Sequence, residues 1–319
     1  MNSQVFVNVF VTSMQETRPR IELNLAAIET GYRNCRIAAN QYFKPYAWIA
    51  ANLPKSRRLG LDALLCHLAK CIDLLDLESS NELPLDVWCE IRDDVGDALA
   101  GQCTSTELAA LADTCQQFSV PKQYLFDMLD GADYWIRFRQ INTFDELEVL
   151  AYRMGGAMMT ATVPVLGFIQ DDYEVAACRL GKAIFLTQIL ANAFNDVRRN
   201  KVFFAQEDLQ KTEWEIHRFK LKQTSKSLHD LVGLYATRVT QLFEEGGQLV
   251  NYLDFDGKRT VKSLISFHWN LLINMQRNPD SLLKPNKILS SRSRFLLKTR
   301  HMLGMEGNVP VIPQGTDHH

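Results

Sequence analysis

Three oxygen-bearing side chains, Gln188, Asn192 and Asp196, interrupt the apolar run LGKAIFLTQILANAFNDVRRNKVFFAQEDL at residues 180–209, one every four residues. Positions four apart on an α-helix differ by about 40° in azimuth, so the three stand in one line, a turn apart. Their neighbours Ala183, Ile184, Leu186, Thr187, Ile189, Leu190, Ala193 and Phe194 leave little room for a broadly wet face. Oxygens in such a line suit magnesium, a hard cation that keeps waters and substrate phosphates in its shell. Arg198, Arg199 and Lys201 follow at once, and cations there can neutralise a diphosphate. The pattern points to magnesium and diphosphate chemistry.

Diphosphate departure needs cations on the leaving charge but no protein nucleophile, and the carbocation left behind needs a dry pocket. Met154, Gly155, Gly156, Ala157 and Met158 give an apolar stretch whose double glycine predicts local unwinding and close approach of a substrate to backbone. Trp48, Trp135, Phe138, Trp214, Phe267 and Trp269 are aromatic faces that can stabilise a cation, each with core packing as its ordinary role. Histidines 67, 217, 229, 268 and 301 show no metal-binding spacing.

The elements that must position these residues are helical. Apolar residues recur at helical spacing over 58–78, 84–100, 106–117, 121–134, 143–160, 172–198, 206–222, 225–250, 258–276 and 290–303, with strand-like alternation only at the N-terminus. Pro54, Pro84, Pro121, Pro164 and Pro279 fall between segments, as boundaries should. With an apolar share of 46% and no linker, repeat or composition shift, the chain predicts a single all-α domain over 1–319, its core at 20–305 and a flexible tail at 306–319. A formal charge of -2 excludes a global basic field, so no nucleic-acid partner is expected. An odd count of seven cysteines without a CxxC pair predicts reduced thiols and a cytoplasmic setting. No stretch reaches the roughly 18 apolar residues of a spanning helix, so no integral membrane segment is expected.

The run at 180–209 resembles the second acidic helix of the head-to-head trans-prenyl synthases, the squalene and phytoene synthases, with Leu180, Gly181, Ala183, Leu186, Thr187, Ile189, Leu190, Asp196, Arg198, Arg199, Val202 and Leu209 in register. AYRMGGAMM at 151–159 is similar to the family's YxYRVAGxVG helix, and ANLPKSRRLGLDALLCHLAKCIDLLDLE is similar to its first acidic helix. HWNLLINMQRNPDSLLKPNKILSSRSRFLLK resembles its C-terminal helices, so the likeness runs over residues 45–303.

The resemblance implies a class I isoprenoid (terpene) synthase bundle of about ten helices around a central cavity, in which two acidic motifs hold three magnesium ions against a diphosphate. Carried over, Asp73 and Asp76 are metal ligands on one side and Gln188, Asn192 and Asp196 on the other, with Asp73, Asn192 and Asp196 catalytic. Arg57, Arg198, Arg199, Lys201 and Lys284 would bind diphosphate, and Trp48, Met154, Gly155, Gly156, Met158 and Trp269 would line the pocket. Several positions depart from the family. Leu77 takes the closing aspartate of the first motif, Gln188 the asparagine and Asn192 the first aspartate of the second, Ala191 the preceding arginine, and His268 a common tyrosine. Asp93, Asp94 and Asp97 of RDDVGD form a competing DDxxD pattern, with a solvated helix face as the plainer account.

These departures strain two-substrate coupling first, because that reaction must ionise and position two diphosphates. The expected function is therefore magnesium-dependent ionisation of one farnesyl-sized prenyl diphosphate and its cyclisation to a hydrocarbon, similar to the fungal humulene-type synthases. Two alternatives stand beside it: an active head-to-head synthase, and an inactive family member that binds or assembles. The protein would act as a monomer or homodimer.

Overall fold

The computed structural model describes residues 20–21, 24–75, 85–138 and 140–284. Helices follow one another as α1 (Leu25–Tyr42), α2 (Lys44–Ile49), α3 (Lys55–Leu75), α4 (Leu85–Leu99), α5 (Thr106–Phe118), α6 (Lys122–Phe138), α7 (Phe144–Ala151), α8 (Ala157–Leu166), α9 (Glu174–Arg198), α10 (Gln206–Lys211), α11 (His217–Lys220), α12 (Lys226–Gly246) and α13 (Phe255–Arg277). Among the described residues the β pairing is one isolated bridge, Phe168 to Leu253, so the fold is all-α as expected. The N-terminal alternation, the segment 290–303 and the tail lie outside the described residues. By its contacts the chain forms two compact units: residues before 140 with Ala161–Leu166, and Gln140–Thr160 with the chain from Gly167 onward.

In the first unit α3 packs on α1, α5 and α6. It buries Leu61, Leu64 and Leu65, each contributing about 2 kcal/mol on leaving water. Asn24 caps α1 by accepting from the Ala27 amide, and Ser105 caps α5 by accepting from Leu108. Gly31 lets α1 and α5 meet, since a Cβ there would fall 1.8 Å from the Thr106 carbonyl oxygen. Buried His67 sets Nε2 3.1 Å from the Leu125 carbonyl; a carbonyl only accepts, so that nitrogen carries the proton.

In the second unit α9 is the centre, packed by α12, α13 and the turn after α7. That turn, Tyr152–Gly156, is a π-helix, which is the local unwinding expected at the double glycine. Its partner, however, is protein. A Cβ on Gly181 would lie 2.1 Å from the Gly155 carbonyl oxygen, and one on Gly155 would lie 2.4 Å from that of Gly181. The close backbone approach predicted for a substrate at Gly155 is made by α9. Asp254 caps α13 by accepting from Gly257.

Other expectations need correcting. Helix α1 shows no conventional apolar stripe, because its buried face is Gly31, Tyr32, Cys35 and Ala39, mostly small residues. Pro164 lies inside α8 rather than at a boundary, two residues before its end, where it forgoes its own bond to the Thr160 carbonyl. The span 206–222 is broken into α10 and α11 by Glu213, which adopts a left-handed φ of 54° while Trp214 N–H donates to Leu209 O at 2.9 Å. Among the described residues one helical run, Phe144–Leu166, is long and apolar enough to cross a membrane, but 72% of its apolar window is buried inside the protein, as in a core helix.

Gly181→Ala should lower stability by about 1–3 kcal/mol or more, because the new methyl has only backbone to displace. An unchanged denaturation midpoint contradicts this packing. A second expectation concerns pH. Burial pushes His67 and His268 down to about 4, against about 6.5 in the unfolded chain. Above about 6.5 their contribution is whole, and it is lost as pH falls toward 4 because the unfolded chain binds the protons first. Burial raises Asp62 to about 6, which runs the other way and offsets one of the two histidines. Urea midpoints should therefore fall from pH 6 to 4 with a slope near one proton. His67→Gln should flatten that slope, and a wild-type midpoint that rises on acidification contradicts the assignment.

Candidate functional site

Helix α9 buries most of its circumference, including Ala183, Ile184, Leu186, Thr187, Ile189, Leu190, Ala191, Ala193 and Phe194. Gln188 and Asp196 are half-buried and Asn192 is exposed, so these three form an accessible oxygen line on an otherwise enclosed helix. Gln188 Nε2 lies 3.1 Å from His268 Nε2 on α13, and His268 Nδ1 lies 2.9 Å from Leu264 O. The Ala191 side chain, at the position where the resemblance implies an arginine, is buried.

The end of α9 is closed by Asn200. Its φ is 58°, its N–H donates to Val197 O at 3.0 Å, and the Lys201 N–H donates back to Asp196 O at 2.9 Å. Asparagine is the commonest non-glycine residue for this left-handed cap. The turn brings Lys201 back beside the last turn of α9. Arg199 is seven residues from Asn192 and so shares its side of the helix, within about 20°. Arg198 does not: it is about 200° around from Asp196, over the Phe194 ring at 5.7 Å. Two cations missed in the sequence join this end. Lys222 Nζ lies 5.5 Å from the same Phe194 ring, and Lys220 Nζ donates to Asn200 Oδ1 at 2.9 Å. Their signal was the basic run HRFKLK, with Lys222 in a left-handed conformation at φ 53°.

The first motif falls in the other unit. Asp73, half-buried near the end of α3, accepts a hydrogen bond from the Tyr42 hydroxyl. Asp76 lies outside the described residues. Arg57 Nη1 donates to Leu166 O at 2.9 Å and so caps α8. Asp93 and Asp97 are exposed on α4, and Asp97 pairs with exposed Arg20 at 3.4 Å, which is the solvated face anticipated as the plainer account. Lys284 is exposed beyond the turn Pro279–Leu283.

Of the pocket candidates, Met154 and Met158 are buried, while Trp48 and Trp269 are half-buried, Trp269 edge-on to Phe243 at 5.8 Å. Trp135 and Phe267 are buried, as is Trp214, which packs edge-on against Phe219 at 5.1 Å. The Phe138 side chain lies outside the description. Among the described residues no three His, Cys, Asp or Glu side chains gather as a metal cluster. Two amide oxygens and one carboxylate on α9 are nonetheless all hard donors. They fit magnesium that takes most of its negative charge from diphosphate, and they do not fit zinc, which prefers nitrogen and sulfur.

The squalene/phytoene synthase family profile matches residues 41–295. Phytoene synthase of Arthrospira platensis is 26% identical over 266 residues, covering 77% of this chain and 84% of its own. For 15-cis-phytoene synthase of Synechocystis sp. the figures are 23% over 291 residues, 82% and 85%. Chloroplastic phytoene synthase 1 of Zea mays is 26% identical over 208 residues, 62% of this chain, which spans 50% of that protein's length. A crystal structure of a dehydrosqualene synthase in complex with ligand shares the fold at a TM-score of 0.77, over 87% of this chain and 97% of that one, with 20% identity. Squalene synthase HpnC from Alicyclobacillus acidocaldarius does so at 0.70, over 80% and 96%, with 14% identity. The matched span contains the Asp73 helix, the Gln188–Asp196 line and the basic turn after it, and the chain belongs to the squalene/phytoene synthase family.

Proposed function

We propose that the protein joins two prenyl diphosphates head to head with release of diphosphate, as a phytoene- or squalene-type synthase. One observation carries the reading: likeness to a phytoene synthase over 77% of the chain, within a family match that takes in both motif helices. The relatives favour this reading over the cyclisation of a single farnesyl-sized chain expected from the sequence, and they do not support a humulene-type specificity. The relatives named above are phytoene, squalene and dehydrosqualene synthases.

Asp196, with the amide oxygens of Asn192 and Gln188, would hold magnesium on α9, and Asp73 is the candidate ligand of its own motif helix. The metal would place positive charge on the departing diphosphate. Arg199 and Lys201 would share that charge, since both lie beside the last turn of α9. Arg198 faces the other way and is not assigned to it. Ionisation then needs no protein base; what it needs is exclusion of water from the allylic cation, a task for Met154, Met158 and Trp269.

A second reading is favoured by the single carboxylate on the α9 line: a family member that binds prenyl diphosphate without turning it over. Product analysis separates the readings. With magnesium and farnesyl or geranylgeranyl diphosphate, the purified protein should yield a thirty- or forty-carbon product, and Asp196→Ala should cut turnover by about 100-fold or more. A cyclic hydrocarbon made from one chain sinks the coupling reading. Binding without product supports the second.

A further inference from the structure

The Gln188 and His268 pair is directional, and the direction has a use. His268 is fully buried, and its Nδ1 sits 2.9 Å from the Leu264 carbonyl, where only an N–H belongs. Nε2 faces the Gln188 amide nitrogen, which can only donate, so Nε2 presents its lone pair. Gln188 Nε2 approaches that lone pair at 3.1 Å and must donate to it. Turning the amide over would set two acceptors face to face in a buried place. A carboxylate at 188 would meet the same lone pair with no proton to give. An amide is the side chain that can donate inward and still present an oxygen outward. Among the described residues Gln188 has no other side-chain partner, so none of them uses Oε1.

We propose that His268 is a positioning residue: through Gln188 Nε2 it fixes Gln188 Oε1 as an oxygen donor on the line with Asn192 and Asp196, for a magnesium-bound diphosphate. The inference rests on the prenyl-diphosphate reading above and adds the group that orients its first ligand. An unanchored glutamine would offer nitrogen and oxygen alike, and would lose side-chain freedom on binding.

The test is calorimetric titration of inorganic diphosphate, with magnesium present, into wild type, His268→Phe, Gln188→Leu and the double variant. Each single variant should weaken binding about tenfold, and the double variant should be no weaker than either, because both remove one oriented oxygen. His268→Gln, whose oxygen can accept from Gln188, should restore affinity to within about twofold of wild type. Folded His268→Phe binding like wild type, or losses that multiply in the double variant, overturns the proposal. Should His268→Phe fail to fold, His268→Gln decides: binding as weak as that of Gln188→Leu overturns it. Wild type that binds no diphosphate removes the functional reading itself along with this inference, whereas wild-type binding indifferent to His268 removes the inference alone.

Discussion

A helix enclosed on most of its circumference leaves few places for polar groups, and α9 imposes that constraint on the second unit. Contact with Gly155 is so close that a single methyl on Gly181 would fall 2.1 Å from a carbonyl oxygen. With that side closed by backbone and others by α12 and α13, the polar side chains in the middle of α9 answer to an internal partner or to the open line. Thr187 answers internally, its hydroxyl donating to Ala183 O at 2.7 Å. Asn192 answers to solvent. Gln188 answers to both, donating to His268 and keeping its oxygen.

The basic end of α9 depends on a second set of supports. After the Asn200 turn the chain is tied down at Ala205, whose N–H donates to the Tyr235 hydroxyl at 3.0 Å. Three residues on, buried Asp208 pairs with Arg238 at 2.6 Å, and the Arg238 guanidinium lies 3.8 Å from the centre of the Phe144 ring. Removing one member of such a pair leaves a buried charge, so the pair is a firm tether for the segment that carries Lys201. The position of the turn that carries Lys201 thus rests on residues beyond it.

The sequence made much of this legible where one periodicity ruled. Helices α5, α9 and α13 follow apolar spacing closely, and the oxygen line on α9 was visible because four-residue intervals are helical intervals. Elements were missed where the usual markers were absent. Helix α1 hides because Gly31, Cys35 and Ala39 replace the large apolar stripe. The breaks at Glu213 and Lys222 hide because left-handed caps usually fall on glycine, and neither residue is one. Arg198 was grouped with Arg199 by adjacency, although neighbouring helical residues differ by about 100°. The orientation of Gln188 needed His268, eighty residues away, and no local pattern carries that.

The central claim is that the Gln188–Asn192–Asp196 line takes a metal-bound diphosphate. Anomalous diffraction from crystals grown with manganese and inorganic diphosphate tests it most directly, manganese standing in for magnesium. The account predicts a manganese peak within coordination distance of the Asp196 carboxylate, with Gln188 Oε1 turned toward it and Nε2 still on His268. Diphosphate bound elsewhere, or a metal that leaves Asp196 untouched, would contradict it.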